Sequence, residues 1–343
     1  MPERPGAGAA AARSRAIEAR SRGDRRAAVT SEAIAPSGAA ALQAIAPGRP
    51  RSYRTLARYV RRHPLGAFGA ALVLLFVVMA VFAPLLTPYN AAKSVDIPLL
   101  APSSKHLLGT TATGQDVLSR VIQGSQISLA IGFSVMVVNI AVGTTLGLLA
   151  GYFQGAADYI IQRSGELWTA FPQLIALLLI VSILGPPATS GGNLLTIAWD
   201  LRNLVFAFSL GAVFGGSRVV RAATLTLKHQ DFVLAARALG AGDLRIIRAH
   251  LFPNVFPYVI VQATAILGTV ILGEAALSFL GIGVAPGTPS WGQDLSGKNR
   301  SYFIDAPWIA LAPGIAISLT VLGFNLFGDA LRDILDPRLR GRT

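Results

Sequence analysis

The sequence predicts an all-α membrane protein in which six helices span the bilayer and a polar, basic loop joins two of them. Of the 343 residues, 52% are hydrophobic and 14% are charged, with a mean hydropathy of +0.54, whereas soluble proteins carry about 25% charged residues. The apolar residues also fall in blocks of about 20, which is the length needed to cross a hydrocarbon core about 30 Å thick. The polar loop lies between two such blocks.

Six apolar blocks mark the expected spans. The first, 66–86, contains no charged residue. The predicted spans are 66–86, 127–150, 167–184, 203–221, 256–279 and 308–327. The fourth begins with only a short uncharged stretch, so we expect its helix to continue past Arg218 and Arg221, whose long side chains can reach the interface.

Glycine and proline positions predict how the spans pack and bend. Gly143, Gly147 and Gly151 form two overlapping G-x3-G units in the second span, a pattern typical of close helix contact. Pro172 and Pro313, together with Pro257, are expected to kink or break their helices, because proline lacks the N–H that a helix needs. Packing is as good an interpretation of these sites as contact with cargo.

Charge predicts the topology. Between residues 1 and 65 the chain carries thirteen arginines and four acidic residues. Four arginines precede the first span, at 54, 58, 61 and 62, and four follow the last, at 332, 338, 340 and 342. Residues 218–250 contain six Lys/Arg and only two Asp. Positive charge stays in the cytoplasm, so we expect both termini and this loop inside. Residues 1–50 lack apolar periodicity and predict a disordered, basic cytoplasmic tail rather than a transit peptide.

The polar loop, 228–254, is expected to form two short helices. Asp231 is a suitable N-cap for a first helix over 232–239, and Gly240 can take the left-handed conformation that ends it. Asp243 can cap a second helix over 244–251, which Pro253 is expected to end. Three small side chains would give the first helix a smooth surface. They are Ala235, Ala236 and Ala238.

Such a bend has other interpretations. Two helices meeting at a glycine also occur in helix-turn-helix DNA-binding units, and Arg237, Arg245 and Arg248 would suit one. An ordinary helical turn fits equally well. A loop tethered at both ends to membrane spans cannot readily enter a major groove, and this consideration disfavours nucleic acid as a partner.

Several classes of chemistry lack their signatures. The chain has no cysteine, hence no disulfide or thiolate chemistry. It has no G-x4-G-K-[ST] phosphate loop, and its four histidines lack ligand spacing. Glu274 is the only candidate for the intramembrane charge of a secondary transporter. It lies about 30 Å from the inner end of its helix, so we expect it to serve packing or the outer interface.

The loop resembles the "EAA" loop of ABC-importer permeases, whose pattern is E-A-A-x3-G-x9-I-x-L-P. Leu234, Ala235 and Ala236 stand at its first three positions, Gly240 at the glycine and Pro253 at the proline. The glutamate, isoleucine and leucine of the pattern are replaced here. The spacing of the small residues, the glycine and the proline is preserved.

More of the chain, roughly 55–340, resembles one branch of that family. HLLGTTATGQDVLSR over 106–120 is similar to the segment that enters the second span of peptide-importer permeases, with Gly109, Gly114, Asp116, Ser119 and Arg120 matching. EAALSFLGIG over 274–283 and the ending FNLFGDALRDILDPRLR are also typical. The resemblance identifies a C-type membrane subunit of dipeptide, oligopeptide or nickel importers.

The resemblance implies a non-catalytic subunit with the type I importer permease fold over 51–343, in a bacterial inner membrane. Its partners would be a homologous B-type permease, one or two ABC ATPase subunits and an extracytoplasmic solute-binding protein, with no nucleic acid. ATP and Mg would be bound by the ATPases, and this chain would hold no cofactor. Cargo would be di- or oligopeptides, or alternatively nickel or glutathione-like molecules. The implied ATPase-docking residues are Leu234, Ala235, Ala236, Arg237, Gly240, Ala241 and Pro253.

Overall fold

The structure is a computed structural model that describes residues 64–185, 187 and 194–335. Within these ranges the chain forms helices, turns and loops, with one isolated β-bridge between Thr110 and Asp116. The predicted all-α fold is confirmed. The expected N-terminal tail 1–50 and the arginines at 54, 58, 61, 62, 338, 340 and 342 lie outside the described residues.

The helices are numbered in chain order. They are α1 (Pro64–Val81), α2 (Ala83–Leu86), α3 (Val117–Val138), α4 (Thr144–Phe153), α5 (Gly155–Thr169), α6 (Gln173–Leu184), α7 (Leu194–Asp200), α8 (Arg202–Leu227), α9 (Asp231–Ala238), α10 (Asp243–Arg245), α11 (Phe252–Phe279), α12 (Trp291–Asp294), α13 (Gly297–Arg300) and α14 (Trp308–Leu335). Two π-helical segments, Asn139–Gly143 and Ile246–Leu251, join α3 to α4 and α10 to α11.

Five helical segments of the described chain are long and apolar enough to cross a membrane, or six if the bent pair α5–α6 is one span. The structure differs from the sequence expectation at that pair. The expected third span, 167–184, contains a break at 170–172, where α5 and α6 meet at 91°. Pro172 lacks an N–H, and proline disfavours helical geometry at the residue before it, Phe171. The helix therefore ends at Thr169 and restarts at Gln173 in a new direction.

The second and fifth spans are longer than their apolar blocks suggest. Val117–Phe153 and Asp243–Phe279 each run for 37 residues. The first begins at Asp116, whose carboxylate accepts the N–H of Ser119 at 2.8 Å as an N-cap. The apolar pattern did not predict the ends of these helices because the residues there are polar. Pro257 and Pro313 lie inside α11 and α14, which continue through them, so the expected breaks are absent at both positions.

Small residues bring the helices together. A Cβ built on Gly147 of α4 would lie 2.5 Å from Cβ of Val220 and 2.7 Å from the carbonyl oxygen of Ser217, both on α8, and one on Gly151 would lie 2.6 Å from Cβ of Thr224. The predicted close contact of the G-x3-G units is confirmed. A side chain at these glycines would force α4 away from α8. On the other side of the bundle, α14 packs between α1 and α11.

Two connecting segments, 87–116 and 281–307, pack over one end of the bundle, and we call them together the cap. Arg120 of α3 fastens them: its side chain pairs with Asp294 of α12 and donates to the carbonyl oxygen of Ala91 at 2.9 Å. Both charged side chains are almost fully buried, with 4% and 5% exposed. The matched motif residues therefore build the cap, with Gly109 and Gly114 both at a φ of +74°.

His106 occupies the centre of the first cap segment. Its ring is buried, with Nδ1 2.9 Å from Asp116 and Nε2 3.4 Å from Asp96. The Lys105 ammonium donates to Asp96 at 2.5 Å and, with the N–H of Ile97, lowers the pKa of that carboxyl to about 2. These contacts close the segment on itself, which gives the histidine a packing role.

Glu274 has the packing role, one of the two roles expected for it. It lies at the cap end of α11, as predicted, but it is wholly buried rather than at an interface. Its carboxylate accepts hydrogen bonds from Ser278 at 2.8 Å, Ser290 at 3.1 Å and Ser128 at 3.2 Å. Three hydroxyl donors on α11, the cap and α3 satisfy the charge, so the residue ties the cap to two spans.

Candidate docking surface on the loop between α8 and α11

At the end of the bundle opposite the cap lies the loop 228–254 that the sequence singled out, of which residues 228–251 precede α11. Its first helix, α9, begins at Asp231 and not after it: the N-cap is Gln230, whose backbone is extended at φ −76° and ψ 152°. The predicted capping role of Asp231 is wrong. Its carboxylate lies in the first turn and Arg237 in the last, so both charges interact favourably with the helix dipole.

Gly240 ends α9 as predicted. Its φ is +81°, a conformation that a side chain at Cβ disfavours. The N–H of Gly240 donates to the carbonyl of Arg237 and the N–H of Ala241 to that of Ala236, each at 3.0 Å. This pair of bonds is a Schellman motif. It turns the chain sharply and satisfies two carbonyls that the helix end leaves free.

The second half of the loop differs from the expectation. Gly242, and not Asp243, is the N-cap of α10. The helix then does not stop at Pro253 but passes through the π-helical segment into α11. The N–H of Phe252 donates to the carbonyl of Ile247, five residues back. This wider turn relieves the clash and the lost hydrogen bond that proline causes in a regular helix. The loop and the fifth span are therefore one continuous helical piece.

One face of α9 is buried against the bundle. Val233 and Ala236 are 0% and 8% exposed, and Val233 packs in a cluster with residues of α4, α8 and α11. The expectation that Ala236 contributes to the smooth outer surface is wrong. A three-residue spacing puts it on the same side of the helix as the buried Val233.

The opposite face is exposed and carries most of the predicted docking residues. Leu234, Ala235, Arg237, Gly240 and Pro253 are exposed, and Ala241 is half-buried. Four large apolar side chains stand among them. They are Phe232, Leu234, Leu239 and Leu244, with 37%, 49%, 89% and 77% exposed. We call this face, from Phe232 to Leu244, the α9 surface.

A tether that the sequence did not reveal holds the α9 surface in place. The hydroxyl of Tyr152, at the end of α4, donates to Asp243 at 2.6 Å and accepts from Arg237 at 3.3 Å. Lys228 reaches the Tyr152 carbonyl at 3.5 Å. A tyrosine far away in sequence thus fixes both halves of the loop. An aromatic residue at the end of an apolar block, with a free hydroxyl, was its only signal.

This arrangement suits the binding of a protein. An exposed apolar patch with a basic rim, here Arg245 and Arg248, is the usual mark of a protein interaction site. The small residues let another backbone approach closely. Among residues 64–185, 187 and 194–335 no cluster of three His, Asp or Glu side chains could hold a metal ion.

A bundle of apolar helices long enough to cross a membrane, with an exposed and tethered loop at one end, defines a polytopic membrane protein. The chain belongs to the family described as binding-protein-dependent transport system inner membrane component, whose profile matches residues 143–341. A second profile, described as the N-terminal TM domain of oligopeptide transport permease C, matches residues 52–102.

Curated relatives agree with the family. The chain is 38% identical over 289 residues to the dipeptide transport system permease protein DppC of Alkalihalophilus pseudofirmus, covering 84% of this chain and 90% of that protein. It is 40% identical over 285 residues to the glutathione transport system permease protein GsiD of Pectobacterium atrosepticum, covering 82% and 90%. The resemblance to C-type ABC permeases of the dipeptide and oligopeptide family is confirmed.

A solved structure supports the fold. The inward-facing MetNI methionine ABC transporter superposes with a TM-score of 0.50 at 17% identity, covering 64% of this chain and 97% of that chain. At this identity the similarity concerns the fold alone. The chain is thus a non-catalytic permease subunit of an ABC importer and an inner membrane component.

Proposed function

We propose that this chain and a homologous B-type permease together form the path by which di- or oligopeptides cross the inner membrane, driven by ATP. Cargo in this class is supported by the names of the relatives, since dipeptides and glutathione are both short peptides. Glutathione-like cargo is the second candidate for the same reason. Nickel or another small cargo has no comparable support.

The α9 surface is the site at which an ABC ATPase binds. The observation that carries this proposal is the combination of an exposed apolar face on α9 with a continuous helix from Asp243 to Phe279. Because α9 packs on the π-helical segment that leads into α11, a displacement of α9 would tilt the fifth span. ATP and Mg are bound by the ATPase, and no covalent step takes place on this chain.

Charge supports a cytoplasmic location for the α9 surface. Residues 218–250 hold six Lys/Arg and two Asp, whereas the cap segments are nearly balanced. Positively charged loops remain inside. The cap then faces outward, where a solute-binding protein delivers cargo. Six spans would leave both termini in the cytoplasm, and one or two kinds of ATPase subunit would complete the assembly.

Ala235→Arg should release the ATPase. Ala235 is exposed on the α9 surface, away from the buried Val233 and Ala236, so the change leaves the packing of the loop intact. A bulky charge at the centre of an interface is expected to cost about 2 kcal/mol or more, which is roughly thirtyfold in affinity. The measurement is the amount of ATPase subunit that copurifies with the tagged permease.

The matched control is Ala92→Arg, the same change at an exposed alanine of the cap. We expect this variant to retain its ATPase. The proposal would be wrong if both variants copurified equal amounts of ATPase, or if the unaltered chain purified from its native membrane in an active form without a nucleotide-binding subunit.

A further inference from the structure

Two neighbouring spans present a face that no other described helix covers. On α11 the face consists of residues one helical turn apart. It continues onto α14, which packs closely against α11. Its exposed or half-buried members include Tyr258, Gln262, Ala265, Thr269 and Leu272 of α11 and Ser318, Leu322 and Asn325 of α14. Where the two helices meet, the side-chain oxygen of Asn325 lies 3.5 Å from where a Cβ on Gly268 would be. We call this the α11–α14 face.

The α11–α14 face differs in chemistry from the surface that the first span exposes. On α1 the exposed side chains are large and apolar, as at Leu74, Leu75 and Val78 with 63%, 58% and 41% exposed. Such a surface suits lipid. The α11–α14 face also exposes apolar side chains, as at Leu272 and Leu322 with 49% and 43% exposed, but it adds hydroxyls and two carboxamides, which the exposed residues of α1 lack. Two faces of one bundle thus call for different surroundings.

The two carboxamides indicate whether lipid or water surrounds the α11–α14 face. Thr269 and Ser318 donate to carbonyls of their own helices, at 3.0 Å and 2.8 Å, so lipid could cover them. Neither Gln262 nor Asn325 has a hydrogen-bond partner among the described residues. A free amide in hydrocarbon is costly because lipid offers it no donor or acceptor.

Their depth makes this cost unavoidable. Gln262 lies about 15 Å along α11 from Phe252, given a rise of about 1.5 Å per residue. The hydrocarbon core is about 30 Å thick, so this carboxamide stands near its middle. Asn325 lies level with Gly268, about 9 Å further towards the cap by the same rise. The side chain of Gln262 is too short to reach either aqueous interface from there.

We propose that the α11–α14 face lines the aqueous cargo path and that Gln262 and Asn325 contact the peptide bonds of the cargo. This inference rests on the proposed transport function and names a cargo-contacting surface for it. A carboxamide offers both a donor and an acceptor, as a peptide bond does. Residues 252–273 contain no charged side chain, so this side of the path does not select cargo by charge.

The absence of cysteine from the chain allows a direct test. Single variants Asn325→Cys and Gln262→Cys are assembled with the partner permease and ATPase in membranes and treated with a charged, membrane-impermeant methanethiosulfonate reagent. The rate of modification of this subunit is followed by mass, first without nucleotide and then with ATP and vanadate. We expect both thiols to react in at least one state, with rates that differ about tenfold between states, because a thiol reacts as its thiolate, which water favours.

Two further variants calibrate the rates. Leu75→Cys, on the lipid-type face of α1, should react at least about tenfold more slowly in both states, since apolar surroundings suppress the thiolate. Ile304→Cys, at a cap residue that is 95% exposed, should react quickly. Excess dipeptide should slow the reaction of the thiol at position 325 and leave that at position 304 unchanged.

The inference would be overturned if the thiols at 262 and 325 reacted as slowly as that at 75 in both states. Formation of a disulfide from either position to a cysteine placed in the partner permease, with no reaction in water, would also overturn it, since the face would then be a subunit interface. Copurification of the ATPase is scored on the same samples. A sample that retains its ATPase but shows no labelling rejects this inference alone, whereas loss of the ATPase from the unaltered chain rejects the proposed function.

Discussion

Replacing Arg120 by alanine should lower the free energy of unfolding by about 3–5 kcal/mol, the usual cost of breaking a buried ion pair from one side. The guanidinium pairs with Asp294 and also donates to the carbonyl of Ala91 and to Gln115, each at 2.9 Å. Alanine would leave a carboxylate that is 5% exposed without a partner. Both cap segments would lose the contacts that Arg120 makes with them. The thermal unfolding midpoint of the purified transporter measures the effect.

The chain offers its own control for this change. Arg163 forms an ion pair with Glu166 at 2.5 Å, but these side chains are 62% and 55% exposed. Exposed ion pairs contribute little to stability because water and salt screen them, so Arg163→Ala should barely shift the midpoint. The double variant Arg120→Leu with Asp294→Leu should be more stable than Arg120→Ala, because no charge is left unpaired. Equal shifts for Arg120→Ala and Arg163→Ala would contradict the account of the cap.

Gly147→Ala should destabilise the bundle by about 1–3 kcal/mol, the typical cost of overpacking a core. The added methyl would stand 2.5 Å from Cβ of Val220 and 2.7 Å from the Ser217 carbonyl oxygen. The second of these atoms belongs to backbone and cannot rotate away. Helix α4 would have to separate from α8, and Tyr152, one turn beyond, would shift with it. The midpoint of thermal unfolding should fall accordingly.

Gly215→Ala is the matched control for the glycine seam. Gly215 also lies in a packed helix, α8, but a Cβ built there meets nothing within 4 Å. Alanine is the better helix former by about 1 kcal/mol, so this variant should be as stable as the unaltered chain or more so. The opposite signs of two identical substitutions isolate the close contact. A Gly147→Ala protein as stable as the Gly215→Ala protein would show that α4 and α8 do not meet as described.

The sequence predicted those features of the fold that depend on a local property of a few neighbouring residues. Long apolar blocks located the spans, the G-x3-G units located the contact of α4 with α8, and Gly240 located the end of α9. Each of these signals depends on chemistry that only one arrangement tolerates: apolar length, a missing Cβ or a positive φ. The family resemblance depended on the order of several motifs, and the comparisons confirmed it.

Other features could not be predicted because they depend on contacts distant in sequence. Hydropathy does not show that Pro172 bends the chain by 91° while Pro253 lies in a continuous helix. The difference arises from the π-helical segment before Pro253, which widens the turn. Ala236 looked like part of an outer surface until the packing of α9 on the bundle buried it. The partners of Tyr152 and Glu274 likewise come from separate helices.

The docking residues remain a prediction of the sequence with physical support from the fold. The family pattern places a glutamate where this chain has Leu234, and that leucine is 49% exposed. In the proposed docking, Leu234 would make an apolar contact in place of any ion pair that a carboxylate would form. Leu234 should therefore contribute little to the salt dependence of ATPase binding, since salt screens interactions between charges.

Site-specific cross-linking can establish whether the α9 surface faces the cytoplasm and binds the ATPase, as we propose. Leu239 is 89% exposed at the tip of that surface, and the chain has no other thiol to compete with a Leu239→Cys variant. With a thiol-attached photo-cross-linker in the assembled transporter, the account predicts an adduct with the ATPase subunit. An adduct with the solute-binding protein, or modification of this thiol from outside intact cells by an impermeant reagent, would contradict it.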